Sequence, residues 1–182
     1  MRTVLLTLGL LLAVLTWGQT SVNVTVKKTE VTYDSTRQAT LKYYEELDKE
    51  LFGLINEYRK SKGRKALEWD QKLYDGSKHH STYQAFAMTS GHDESIDVKD
   101  FTEESFKVRA AKYDIWGECV ATTGGSPPNV QKLLELWKKS PLHNNILLDK
   151  NFKRGACSVA SIMQASNIGD RQKNYCTFDG AQ

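Results

Sequence analysis

The chain has 182 residues, with 25 Lys and Arg against 22 Asp and Glu and a formal net charge of +3. So weak a balance, with no basic run interleaved with aromatics, argues against a nucleic-acid partner. The length suits one domain, and the aliphatic and aromatic content is enough for one sizeable core.

Residues 1–18 read as an export signal. Arg2 supplies the positive start, Val4 to Trp17 is almost continuously apolar, and Thr16, Gly18 and Gln19 suit cleavage after Gly18. This run is shorter than the roughly 20 residues an ordinary membrane span needs. No second long apolar run follows, so the expectation is a secreted chain without a membrane span, periplasmic if the source is a Gram-negative bacterium. Residues 19–40 form an N-terminal extension in which Val22, Val24, Val26, Val31 and Tyr33 alternate with polar residues, as in a strand or extended arm. Asn23-Val24-Thr25 has the form of a glycosylation sequon.

From Leu41 the period becomes helical, and residues 41–182 form the main domain. Leu47, Leu51, Leu54, Ile55 and Tyr58 share one face of a first helix that Gly63 ends. Asp70 is a good N-cap for a second helix, where Leu73, Ser77, His80, Gln84 and Ala87 share a face. Thr89-Ser90-Gly91 stops it and His92 follows. Asp100 and Glu103 are spaced like a capping box for a third helix running to Lys112, with Phe101, Val108 and Ala111 as its apolar residues. Ile115 to Ala121 is short, apolar and strand-like, and Thr122 to Pro128 is a loop. Val130, Leu133, Leu134 and Trp137 define a fourth helix closed by Pro141. Gly155–Ala160 and Asn174–Phe178 read as two final strands. This order predicts an α+β fold with helices packed on an antiparallel sheet.

The three cysteines are Cys119, Cys157 and Cys176. If the last two strands pair, Cys157–Cys176 is the natural disulfide and Cys119 is left over, although spacing alone leaves Cys119 open to either partner. Trp69, Trp116 and Trp137 read as core. Of the neighbours His79 and His80, which diverge by about 100° on a helix, His80 falls on the apolar face and His79 in solvent. Asp93, Glu94 and Asp97 lack EF-hand spacing and read as a polar loop.

Several motifs occur in a telling order: Leu54-Ile-Asn-Glu-Tyr-Arg59, Leu67-Glu-Trp-Asp-Gln-Lys-Leu73, Gly91-His92, Phe106 to Tyr113, Gly117-Glu118, Trp137 to Leu147 and Gly155-Ala-Cys-Ser-Val159. Together, from about Leu47 to Gly180, they resemble the CAP superfamily of secreted proteins (cysteine-rich secretory, antigen 5, pathogenesis-related type 1), and its compact bacterial members most. The resemblance implies a three-layer α-β-α sandwich with a central antiparallel sheet, helices one and three-to-four flanking it. It also implies a cleft where His92, Glu118 and His143 converge with Ser140 at the rim. Many members carry a second Glu where this chain has Ser140, and Asn where it has Cys119. Two His and a Glu match a zinc ligand set, so weak zinc binding by His92, His143 and Glu118 is expected. Strand alternation turns Glu118 and Cys119 to opposite faces, which speaks against Cys119 as a nucleophile beside the His residues. The functional expectation is a non-enzymatic extracellular binding module for a lipid, a sterol or a host or protein partner. The alternative is a zinc-dependent or His/Glu acid–base hydrolase, although HExxH and GxSxG are absent. No catalytic residue is assigned.

Overall fold

The computed structural model describes residues 41–98, 101–102, 104–164 and 171–182. The export signal, the extension with its sequon and the Asp100/Glu103 capping box lie outside the described residues.

The elements in chain order are β1 (Lys42–Tyr43), α1 (Glu45–Ser61), β2 (Glu68–Trp69), α2 (Gln71–Ala87), α3 (Phe106–Tyr113), β3 (Gly117–Gly124), α4 (Val130–Lys139), α5 (Pro141–Leu147), β4 (Arg154–Gln164) and β5 (Arg171–Ala181). The helix starts follow their capping residues. Asp70 accepts from the Leu73 N–H at 3.0 Å, Ser105 from Val108 at 3.4 Å and Asn129 from Lys132 at 2.8 Å. Helix α1 lacks a side-chain cap but carries Glu45, Glu46 and Asp48 in its first turn, which favours the positive end of the helix dipole.

The sheet order is β1-β4-β5-β3, antiparallel throughout, with β2 adding two parallel residues beside β4. Helices α1, α4 and α5 cover one face, where Leu51, Ile55, Leu133, Trp137 and Leu147 meet Val159 and Phe178. Helices α2 and α3 cover the other, where Leu73, Tyr74 and Ala110 meet Ala156 and Ala181. This is the expected three-layer α-β-α sandwich. The third helix, however, lies with α2 and not with the fourth. Among the described residues, no helix is long and apolar enough to cross a membrane.

Gly117, Gly180 and Gly155 are cross-strand neighbours on β3, β5 and β4. A Cβ at Gly180 would run into the Phe152 ring, and one at Gly117 would stand 2.9 Å from it. The Gly of the Gly117-Glu118 pair is therefore a seat for Phe152.

The expected disulfide is absent, and all three cysteines are buried free thiols. Cys157 and Cys176 do lie on neighbouring strands, but Cys157 faces Phe178 and Cys176 faces Val159. They are diagonal neighbours, about 7–8 Å apart between Cα atoms in such a pairing, beyond the roughly 4.4–6.8 Å a bridge requires. Cys119 also pairs with Phe178, from the other side of β5. Burial pushes all three thiols well above their ordinary range.

Asp48 ties α1 to the sheet and to α2. Its carboxylate accepts from the Val159 N–H at 2.7 Å and the Tyr74 hydroxyl at 3.0 Å, with the side chain fully buried. Burial raises its pKa to about 7 despite both donors. The folded chain thus holds a proton that the unfolded chain, with an Asp near about 3.9, has released. Asp48 therefore makes stability fall as pH rises from about 4 towards 7. Melting temperatures of wild type and Asp48→Asn at pH 5 and pH 8 check this. The variant should gain on wild type at the higher pH, and a constant difference would refute it.

Candidate functional site

Glu118 sits on β3, the edge strand, and alternation turns it towards α2 and α3 while Cys119 faces the opposite core. It is 2% exposed. A carboxylate so placed needs partners, and it has three hydrogen bonds. His92 Nδ1 lies 2.8 Å from Oε1, and the Arg109 guanidinium donates to Oε2 at 2.6 Å and to Oε1 at 3.1 Å. The same guanidinium donates to the His92 carbonyl at 2.7 Å, fixing the backbone that carries the imidazole. Burial pushes Glu118 up, but His92 and Arg109 together hold it below the usual carboxylate range. The hydrogen bond to Glu118 raises His92 in return.

Arg109 is the residue that sequence reasoning missed. The sequence marks Val108 as apolar on this helix, yet Val108 is 53% exposed and Arg109 fully buried. The pairing demand of Glu118 decides the helix rotation. That demand was readable in principle, since a carboxylate predicted inside an apolar strand calls for a nearby cation.

His143 arrives from α5. Pro141 opens this helix as well as ending α4, and Ser140 caps it, its Oγ 3.5 Å from the His143 N–H. The Ser-Pro-Leu-His spacing is thus an N-cap followed by the first helical turn. Helix α1 holds α5 in place. The Tyr58 hydroxyl donates to Asn144 at 2.7 Å, and the buried Arg59 donates to the carbonyls of Leu147 and Asp149. Asn56 exchanges two hydrogen bonds with the Leu67 backbone. The His143 carbonyl lies 3.6 Å from Cys119 Sγ, which puts α5 on the opposite side of β3 from Glu118. Burial, and then the charge of His92, lower the pKa of His143. The two imidazoles are therefore within electrostatic reach. Glu118 does not hydrogen-bond to His143, and His92, Glu118 and His143 do not form a set with mutually close ligand atoms among the described residues. As a zinc site they fit poorly, because their ligand atoms are not mutually close.

A second layer lies behind Glu118. His80 is buried, as expected, with Nδ1 2.8 Å from Glu94 Oε1 and Nε2 2.7 Å from the Gly91 carbonyl. Glu94 is 1% exposed and so is no solvated loop residue. Burial raises its pKa, but hydrogen bonds from His79 and His80 bring it down to about 2. His79 is not solvated either, since its side chain is 24% exposed and its Nε2 is 3.1 Å from Glu94 Oε2. Asp179, opposite Glu118 on β5, accepts from Ser77 at 2.8 Å, and burial and then the Glu118 charge push it well above the carboxylate range. Trp116 departs from its core assignment: it is 59% exposed, whereas Trp137 is fully buried.

The profile of the cysteine-rich secretory protein (CAP) family matches residues 52–179. The chain belongs to this family. The CAP fold also appears in solved structures. An outer surface protein of Borrelia burgdorferi superposes with a TM-score of 0.53 at 17% identity, over 79% of this chain and 100% of that one. An extracellular protein of Bacillus anthracis containing an SCP domain gives 0.54 at 17% identity, over 76% of this chain. The present CAP chain spans 41% of the length of that Bacillus protein. At such identities the likeness speaks for the fold alone. No match is found among the curated proteins.

Proposed function

We propose that the chain is a secreted, non-enzymatic CAP binding module that takes an apolar ligand, a lipid or sterol, at the cleft between His92 and His143. The observation that carries this reading is the pairing of Glu118 with Arg109. Two bonds from Arg109 and one from His92 hold Glu118 as a stable carboxylate with its pKa below the usual range, which makes it a poor general base or acid at neutral pH. Zinc at this cleft would lack a convergent set of three ligands and be weak. Exposed apolar side chains are close in sequence to each site residue: Val108 next to Arg109, Trp116 two residues before Glu118, and Leu142, 77% exposed, next to His143. A bound lipid or sterol would cover such exposed apolar side chains. The extracellular and outer-surface relatives fit export.

One observation favours the acid–base reading as the second choice. The pKa of His92 is raised and that of His143 lowered, which is how a site separates an acid from a base. Equilibrium binding of a fluorescent fatty acid or sterol separates the two. The binding-module reading expects binding that drops at least tenfold in Trp116→Ala/Leu142→Ala with the fold unchanged, and no turnover of peptide or wall polymer. Turnover abolished by His143→Ala would overturn it in favour of the hydrolase.

A further inference from the structure

Outside the cleft, the loop after α2 gathers a second set of ligand-type groups. His79, Glu94 and Glu104 each offer one ligand atom, and these atoms all lie within 4.8 Å of one another. The backbone fixes the set, because the Glu94 N–H donates to the Glu104 carbonyl at 2.8 Å in an isolated antiparallel bridge. The side chains are held from behind. Glu94 Oε1 is taken by His80 at 2.8 Å with Arg109 Nε at 3.3 Å, which leaves Oε2 facing His79 at 3.1 Å. The His79 ring packs against Phe101 at 5.1 Å and Tyr113 at 6.0 Å between centroids.

Glu104 supplies an independent observation. Lys112 binds its Oε1 at 3.3 Å, but Oε2 is buried and has no hydrogen-bond partner. A desolvated carboxylate oxygen without a donor, close to a second carboxylate, is costly twice over: it has lost water and it meets a like charge. A cation between the two removes both penalties. One imidazole nitrogen and two carboxylate oxygens suit a first-row divalent ion such as Zn²⁺, with water completing the shell. The 3.1 Å hydrogen bond between His79 and Glu94 is near the ligand–ligand spacing, roughly 3.4 Å, that bonds of about 2.1 Å impose in a tetrahedral site, so an ion would take the place of that bond. His80 and Arg109 already orient Glu94, as outer partners do in metal sites.

We propose that His79, Glu94 and Glu104 form a divalent-cation site, separate from the His92–His143 cleft and joined to it through Arg109. The site does not depend on the ligand or chemistry of the cleft. Zn²⁺ titration calorimetry on the full chain tests it, with thermal denaturation as a second readout. The expectation is one Zn²⁺ per chain and a melting temperature that rises with Zn²⁺. Both effects should fall at least about 100-fold in affinity in Glu104→Gln and in His79→Gln, which exceeds the loss usual for an outer partner. His143→Ala should bind within about threefold of wild type. Circular dichroism of Glu104→Gln, a neutral near-isostere, separates ligand loss from misfolding. No Zn²⁺ binding by wild type, undiminished binding by Glu104→Gln, or binding lost only in His143→Ala would each overturn the proposal.

Discussion

Arg109→Met is expected to destabilise the fold by about 3–5 kcal/mol, the usual consequence of stranding one member of a buried ion pair. Glu118 would lose the two bonds at 2.6 Å and 3.1 Å and stay buried, and Glu94 would lose a cation at 3.3 Å. The effect has a pH signature. In wild type the folded-state pKa of Glu118 is held low, so the stability this adds is present above the unfolded carboxylate value, about 4.3. It is lost as pH falls through the folded value. The variant should therefore be most impaired at neutral pH and recover relative to wild type in acid, where a neutral Glu118 needs no counter-charge. Urea denaturation at pH 7 and pH 4 measures both. Arg109→Met/Glu118→Gln should recover a large part of the loss, giving a coupling energy of at least about 1.5 kcal/mol. Single and double variants that are equally unstable would show that Arg109 matters for packing and not for charge.

Trp137→Ala should cost a similar amount, about 3–5 kcal/mol, by a different mechanism. Trp137 heads the fully buried side chains by volume and packs at 6.3 Å, centroid to centroid, from Phe178 on the central strand β5. Its loss opens a cavity where α1, α4 and the sheet meet, and close packing lets such a site collapse only in part. Helix α4 runs through Ser140 straight into α5. Slack in α4 therefore reaches His143, whereas His92 and Glu118 are held from the other face by Arg109. The expected result is a thermal midpoint lower by roughly 10 °C, with the His143 ring resonances in NMR perturbed more than those of His92. Trp137→Phe should lose much less. Equal perturbation of both imidazoles would contradict the separate anchoring.

Much of the site could be read before the structure. The apolar period of α1, α2 and α4 placed those helices, Asp70 began α2, and strand alternation set Glu118 and Cys119 on opposite faces. These are properties of one segment at a time, since the pitch of a helix and the pleat of a strand act on residues a few positions apart. Helix α3 was harder. Its eight residues carry apolar side chains on more than one face, so periodicity favoured Val108 where the buried Glu118 required Arg109.

The chain order of the motifs, the amphipathic helices and the family were settled by the sequence itself. The tertiary structure alone decided which groups meet. Strand register separates Cys157 from Cys176 by one diagonal step and so leaves three thiols where a disulfide was expected. Asp48, in the acidic first turn of α1, is buried where Val159, far along the chain, presents a backbone N–H to it. Glu94 and Glu104 come together through a backbone bridge between two loop segments with no periodicity to announce it. Register, ion pairing and loop closure depend on contacts between distant parts of the chain. Their free energy belongs to the assembled core, and no local pattern of residue types encodes it.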